Sequence, residues 1–281
     1  MVAVKKGWVP LKFDLMAKKV FGDNKNQNQI RFLLKQILNI DPLYVKVLNT
    51  EVIDRPYKDK KFEVDLLVKI DHKTYVGIEI NTSVSKEITD RNLFYMTRIM
   101  SRDLKPKESF KKLYKHIQIS FDFKGRGELP IMSYQLLNKE TLTLLSDKME
   151  IIKVSVPYFY DRCYNKDASL KERFIGFLNE ENKEKAKLLI RGDKNMEELY
   201  DKVEEYSDDE IIGLYDLESH RSEVERSVRE EATRESFNKG LEQGTEQKAI
   251  DVAKKLIKEN IDIETISKVT GLSIEEIKRF N

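Results

Sequence analysis

Two acidic residues sit where acids are costly. Asp65 lies within Val64-Asp65-Leu66-Leu67-Val68, and Glu79 stands between Ile78 and Ile80 in the stretch YVGIEIN (75–81). A charge in so apolar a strand is unfavourable unless something compensates it. Strand side chains alternate, so Glu79 and Asn81 share a face. If the loop around His72 holds an odd number of residues, Asp65 joins that face, and two carboxylates and an amide oxygen converge. Hard cations such as Mg²⁺ take oxygen clusters of this kind, commonly through one or two carboxylates plus water. The same spacing also suits a solvent-facing sheet edge with both acids exposed. Neutralisation of Glu79 by Lys61 or Lys86, with no metal, is a third arrangement.

The elements that must position these residues follow from periodicity. Leu15, Lys18, Lys19 and Phe21 fit a short helix ending at Gly22. A second helix, roughly residues 26–38, places Ile30, Leu33, Leu34, Ile37 and Leu38 on one face, and Asp41-Pro42 stops it. Residues 44–53 and 62–70 read as strands, DHKT turns the chain, and 75–81 runs back as the second arm of a hairpin. Residues 82–104 form a long amphipathic helix. Leu93, Met96, Met100 and Leu104 line one side of it, and Arg91, Tyr95, Arg98 and Arg102 another. HIQISFDF (116–123) alternates, with Ile117, Ile119, Phe121 and Phe123 pointing one way. Further strands are expected near MSYQLL and EIIKVSV. Helices around a mainly antiparallel-looking sheet with a crossover helix make an α/β or α+β protein, not a repeat protein.

From about Leu170 the strand signals stop and helical patterns take over. Residues 221–248 are heavily charged and read as a solvated helical spacer, weakened by Gly240 and Gly244. The last 33 residues read as a small separate unit. In it Asp262 is an N-cap, Gly271 a helix stop, and Ser273 with Glu276 a capping box. Ile263, Ile266, Val269, Leu272, Ile274 and Ile277 are expected to pack three helices together.

Composition bounds the rest. The chain has 281 residues, of which 40% are apolar and 36% charged, above the usual quarter. A net charge of +2 leaves any attraction to nucleic acid to local patches. Cys163 is the single cysteine, so no disulfide can form within the chain, which fits a reducing compartment. His72, His116 and His220 have no zinc-type spacing. The start MVAVKKGWVP lacks the apolar core of a secretory signal, and no apolar run approaches the ~20 residues needed to cross a bilayer. A cytoplasmic protein without membrane contact is the expectation.

Read in order, several segments resemble the recombination-promoting nuclease and transposase family of the PD-(D/E)xK nuclease superfamily. FDLMAKKVFGDNKNQNQIRFLLKQIL resembles that family's opening helix and FGD turn. LNTEVI with DKKFEVDLLVKIDHKTYVGIEIN resembles its metal-binding hairpin. RNLFYMTRIMSRDLKPKESFKKLYKHIQISFDF resembles the helix and strand that follow, and GLEQGTEQ with LIKENIDIETISKVTGLSIEEI its Gly/Glu-rich spacer and helical tail. The resemblance implies an α/β restriction-endonuclease-like core, a mixed sheet flanked by helices, over residues 1–170. It also implies an all-helical C-terminal extension: a helical segment over 171–220, the charged spacer over 221–248 and a helix-turn-helix-like tail over 249–281.

By position, the resemblance makes Asp65 the motif Asp and Glu79 the motif Glu, both ligands of Mg²⁺ (or Mn²⁺). Asn81 falls where the superfamily has Lys and this family usually has Gln. That Lys positions the attacking water and stabilises developing negative charge. An amide can hydrogen-bond water or phosphate but cannot neutralise charge, and Asn reaches one methylene less far than Gln. Asp14 matches the family's N-terminal acid and would meet the metal through water; a helix N-cap is its other reading. The implied activity is metal-dependent endonucleolytic hydrolysis of DNA phosphodiester bonds, linked to recombination or mobile elements. Lys86, Arg91 and Arg98 would then contact backbone phosphates, or else form a solvated helix face. The alternative is a degenerate nuclease fold that binds DNA or a protein partner without cutting. SIEEIKRF in the tail is either a DNA-recognition helix, with Glu275 and Glu276 repelling phosphate at its start, or part of a module that joins copies into a homo-oligomer.

Overall fold

The computed structural model describes residues 7–48, 64–85, 87–101, 104, 107–125 and 129–280, without the side chains of residues 221–229, 232, 235 and 242. Lys61, Lys86, Arg102 and the parts of the two expected strands within 49–63 lie outside the described residues. The chain divides into two compact units, Met1–Tyr215 and Asp216–Asn281.

The first unit opens with helices α1 (Asp14–Gly22) and α2 (Gln27–Leu38). Strands β1 (Val45–Leu48), β2 (Leu66–Ile70) and β3 (Thr74–Asn81) follow, then helix α3 (Ile88–Met100) and strands β4 (Lys115–Asp122), β5 (Ile131–Leu137) and β6 (Leu144–Ser155). Helices α4 (Pro157–Tyr160), α5 (Leu170–Asn179), α6 (Lys183–Leu188) and α7 (Lys194–Tyr206) complete it. Among the described residues the strands form one six-stranded sheet in the order β1-β2-β3-β4-β6-β5. The pairs β1–β2, β2–β3 and β5–β6 are antiparallel. The pairs β3–β4 and β4–β6 are parallel, so the sheet is mixed at its centre. Parallel neighbours need a crossover, and α3 supplies the one between β3 and β4.

Strand alternation splits the sheet into two unlike faces. Leu66, Val68, Ile70, Val76, Ile78, Ile117, Ile119, Phe121, Ile152 and Val154 share a continuous apolar core with residues of α1, α2, α5 and α7. The opposite face is polar towards the carboxyl ends of β3 and β4, and α3 packs against these two strands there. Its contact is a small cluster of Val64, Leu67 and Ile99 with Tyr75 and Tyr95 beside it. The buried stripe of α3 is Asn92, Met96 and Ile99, while Leu93 stays 42% exposed. Periodicity allowed two stripes one residue apart, and packing against the sheet selected the one containing Asn92. The helix, Ile88–Met100, is also shorter than 82–104, and before it the Ser85 hydroxyl accepts from the Glu87 amide.

The helices after β6 belong to the same core. Residues 7–13 are stapled onto them: Trp8 Nε1 donates to the Glu180 carbonyl at 2.8 Å, the Val9 amide to Ser207 Oγ at 3.0 Å and the Lys12 amide to the Leu178 carbonyl at 2.8 Å. Helix α5 starts at a capping box, Ser169 with Glu172.

Helix α8 (Asp209–Lys258) is continuous and runs through both Gly240 and Gly244. Each glycine costs about 1 kcal/mol relative to alanine, and the Glu, Lys, Gln and Arg around them are good helix formers. In the second unit, helices α9 (Ile263–Thr270) and α10 (Ile274–Lys278) follow. Asp262 caps α9 by accepting from the Thr265 amide at 2.9 Å, Gly271 takes φ +76° after it, and Ser273 with Glu276 forms the capping box of α10. Ala253, Ile266 and Ile277 form the small core, with Leu256, Ile257, Ile263 and Leu272 against it. Val269 and Ile274 point outward instead, since such short helices bury one narrow side each. Among the described residues no helix is long and apolar enough to cross a membrane.

Gly176 gives the core a sharp test. A Cβ there would lie 2.5 Å from both Cβ and Sγ of buried Cys163. Rotation about the Cα–Cβ bond of Cys163 moves Sγ but not Cβ, so the clash persists and Gly176→Ala is expected to destabilise the first unit by about 1–3 kcal/mol. A thermal or urea melt checks it, and an unchanged midpoint would contradict the packing.

Candidate active site at the fork of the hairpin

Three residues, Asp71 to Lys73, separate the paired Ile70 and Thr74. The count is odd, and the register Leu66↔Ile78 sets Asp65 opposite Glu79 on one face. Asp65 precedes the first residue of β2, where the hairpin ladder opens. There its Oδ2 accepts from the Ile80 amide at 2.6 Å, and Glu79 Oε1 accepts from the Asp65 amide at 3.3 Å. Each acid thus bonds the other's strand, which locks both carboxylates side by side and leaves the second oxygen of each outside these backbone bonds.

Burial dominates their electrostatics. Glu79 is 3% exposed and Asp65 half-buried. Desolvation pushes the Asp65 carboxyl well above the ordinary carboxylate range, with the charge of Asp14 adding to the shift. Glu79 is pushed up in the same way, first by burial and then by Asp65. The guanidinium of Arg91 opposes both shifts without cancelling them. It lies 3.4 Å from Glu79 Oε2, with its side chain 42% exposed. Among the described residues the cation against Glu79 is Arg91, from the first turn of α3.

Asn81 sits two residues beyond Glu79 on the same face and is 4% exposed. Its Nδ2 donates to Ser120 Oγ at 2.8 Å and to Asp122 Oδ1 at 3.0 Å. Ser120 Oγ in turn donates to Asp122 Oδ1 at 3.0 Å, and Lys153 Nζ stands 3.7 Å from Asp122 Oδ2. With Nδ2 turned to these two acceptors, Asn81 Oδ1 accepts from Arg91 Nη2. Glu79 and Asn81 pair with Ser120 and Asp122 in the parallel register of β3 and β4. Ser120, Asp122 and Lys153 were not singled out from sequence. The signal was present: His116, Gln118, Ser120 and Asp122 are the complementary half of the alternation that places Ile117, Ile119 and Phe121 in the core.

Asp14 is the first residue of α1, after an N-cap position, Phe13, that lacks a capping side chain. It is therefore not an N-cap. Its Oδ2 accepts from Lys18 Nζ at 2.9 Å, and its Oδ1 is buried without a hydrogen-bond partner among the described residues. Arg98 stands two turns beyond Arg91 on α3 and is half-buried. Among the described residues no cluster of three or more His, Cys, Asp or Glu is drawn together as a closed metal cage. The donors nevertheless suit a divalent cation. They comprise two adjacent carboxylates whose charge Arg91 offsets only in part, and a third with a buried oxygen that has no hydrogen-bond partner among the described residues. Mg²⁺ usually keeps several waters and takes only one or two carboxylates.

The pair has a pH signature. Because both carboxyls are raised above their unfolded values, the folded chain holds protons that the unfolded chain has released, so stability falls as pH rises from the ordinary carboxylate range past neutrality. With chelator present, Asp65→Asn is expected to flatten this fall. At neutral pH it should recover on the order of 1 kcal/mol or more, one pKa unit being worth about 1.4 kcal/mol. Melting curves across that range measure it, and parallel profiles for the two proteins would show that the acids do not share their proton.

The family model described as PD-(D/E)XK nuclease family transposase matches residues 11–231. No curated protein and no solved structure gives a match. The match spans the sheet, both acids and α3, well over half of the sequence, and with it the mixed, helix-flanked sheet is accounted for: the chain belongs to the PD-(D/E)XK nuclease family of transposases.

Proposed function

We propose that the protein is a metal-dependent DNA endonuclease acting in recombination or mobile-element biology. The observation that carries this reading is the buried, mutually bonded pair Asp65 and Glu79 at the open end of the hairpin, whose charge Arg91 offsets only in part. Asp65 and Glu79 would hold Mg²⁺ or Mn²⁺ directly, and Asp14 through water. When bound, the ion would lower the pKa of a coordinated water and polarise the scissile phosphate. The chain's own contribution is orientation. The Ile80 and Asp65 amides hold one oxygen of each acid, and Ser120 and Asp122 fix the rotamer of Asn81. Arg91, Arg98 and Lys86 are the proposed contacts to backbone phosphates, which position DNA without reading its sequence.

One observation favours a second reading. Asn81 replaces the motif lysine, and its amide nitrogen is already bonded to Ser120 and Asp122. On that reading the fold binds DNA or a protein partner without cutting.

Nicking of supercoiled plasmid by the full chain with Mg²⁺ or Mn²⁺ separates the two. Asp65→Ala and Glu79→Ala are each expected to lose about a hundredfold or more, comparable to removing a preorganised electrostatic group from an active site. Equal nicking by wild type and Asp65→Ala would assign the activity to a contaminant. Absence of nicking with a retained gel shift would establish the second reading.

A further inference from the structure

We infer that Arg91 supplies the positive charge that the motif position itself lacks, and that Asn81 is a positioning residue acting on substrate only through it. The inference rests on the nuclease reading and deepens it: Arg91 becomes the cation that meets the phosphate at the acids, not one of several backbone contacts along a helix.

The geometry carries it in three steps. First, Asn81 turns its donor nitrogen inward. Nδ2 bonds both Ser120 Oγ and Asp122 Oδ1, and Asp122 is itself held by Ser120 Oγ and faced by Lys153. An amide turned this way presents its carbonyl oxygen to the open side. Second, that oxygen is occupied by Arg91 Nη2, and the same nitrogen stands 3.4 Å from Glu79 Oε2. One guanidinium nitrogen is therefore held between a neutral acceptor and an acid. Third, Arg91 is 42% exposed while Asn81 and Glu79 are almost fully buried. A guanidinium carries five donors in a rigid planar fork suited to phosphate oxygens, so holding Nη2 leaves the other donors of this half-exposed side chain for a phosphate at the acids. A lysine at position 81 would place its charge from the strand; here the charge comes from the first turn of α3 and is aimed by the strand.

The alternative roles predict different arithmetic. If Asn81 contacts substrate independently of Arg91, losses from the two multiply; if it works through Arg91, they do not. The experiment compares wild type with Asn81→Ala, Arg91→Ala, the double variant and Arg91→Lys. One arm is Mg²⁺-dependent plasmid nicking. The other is anisotropy of a short fluorescein-labelled duplex in Ca²⁺ at several salt concentrations. Arg91→Ala is expected to lose about a hundredfold in nicking and to reduce the salt slope of binding by about one ion. Asn81→Ala should lose less, and the double variant should match Arg91→Ala in both arms. Millimolar methylguanidinium should partly restore nicking by Arg91→Ala and leave Asp65→Ala inactive. Arg91→Lys, which keeps the charge and loses the fork, should fall between wild type and alanine, and it serves if Arg91→Ala melts early. Multiplicative losses overturn the inference and leave the nuclease reading standing. A wild type that does not nick, with losses in binding that do not multiply, overturns the nuclease reading and leaves the Asn81–Arg91 pair in place. A wild type that neither nicks nor binds the duplex overturns both.

Discussion

Two like charges withdrawn from water at one strand fork set the terms for everything around them. At a few ångströms apart and an effective dielectric near 20, a pair of unit charges interacts by about 4 kcal/mol, and desolvation adds to that. The two backbone amides and the half-exposed guanidinium recover only part of this, since both acids still titrate above their ordinary range. Such a site is stabilised by a proton or by a cation. A structure that keeps the acids buried anyway stores affinity for a positive ion at one place.

The architecture makes that storage tolerable by giving the sheet two unlike faces. One carries the apolar core, against which α1, α2, α5 and α7 pack, with residues 7–13 bonded to the late helices and the residue after α7. Stability comes mostly from there. The other face is thinly covered by α3, and its apolar cluster with the sheet is small. The polar row of Glu79, Asn81, Ser120 and Asp122 is thus held by β3 and β4, strands whose other side is fixed in the core. The helix that brings Arg91 to this row is the crossover between those same two strands, so the cation and the acids are positioned by one βαβ unit.

How much of this was legible in the sequence varied with the physics involved. The hairpin was readable because period-2 patterns flank a short polar turn, and the odd loop count was all that the convergence of Asp65 with Glu79 required. Helix caps at Asp262 and Ser273 were readable because they depend on local bonds alone. The parallel pairing at the centre of the sheet was not, because strand direction is decided by partners distant in sequence. For the same reason the buried stripe of α3 was misplaced by one residue: Leu93 and Asn92 both fit a helical period, and only the sheet beneath decides between them. Arg91 was visible as part of a basic stripe. Its attachment to Asn81 was not, since that bond exists only once β3, β4 and α3 meet. The helix through Gly240 and Gly244 shows the converse: local penalties of about 1 kcal/mol each were outweighed by the propensity of their neighbours.

The seat of Trp8 has a use of its own. It is the only tryptophan in the sequence, and its ring lies 5.0 Å from Tyr200 of α7 and 5.8 Å, edge-on, from Phe177 of α5. Its nitrogen is bonded to a backbone carbonyl just past α5. Indole emission from this protein is therefore a single-site optical gauge of whether the leading segment has docked on the late helices, and it reads the closing of the chain's first unit end to end without any label.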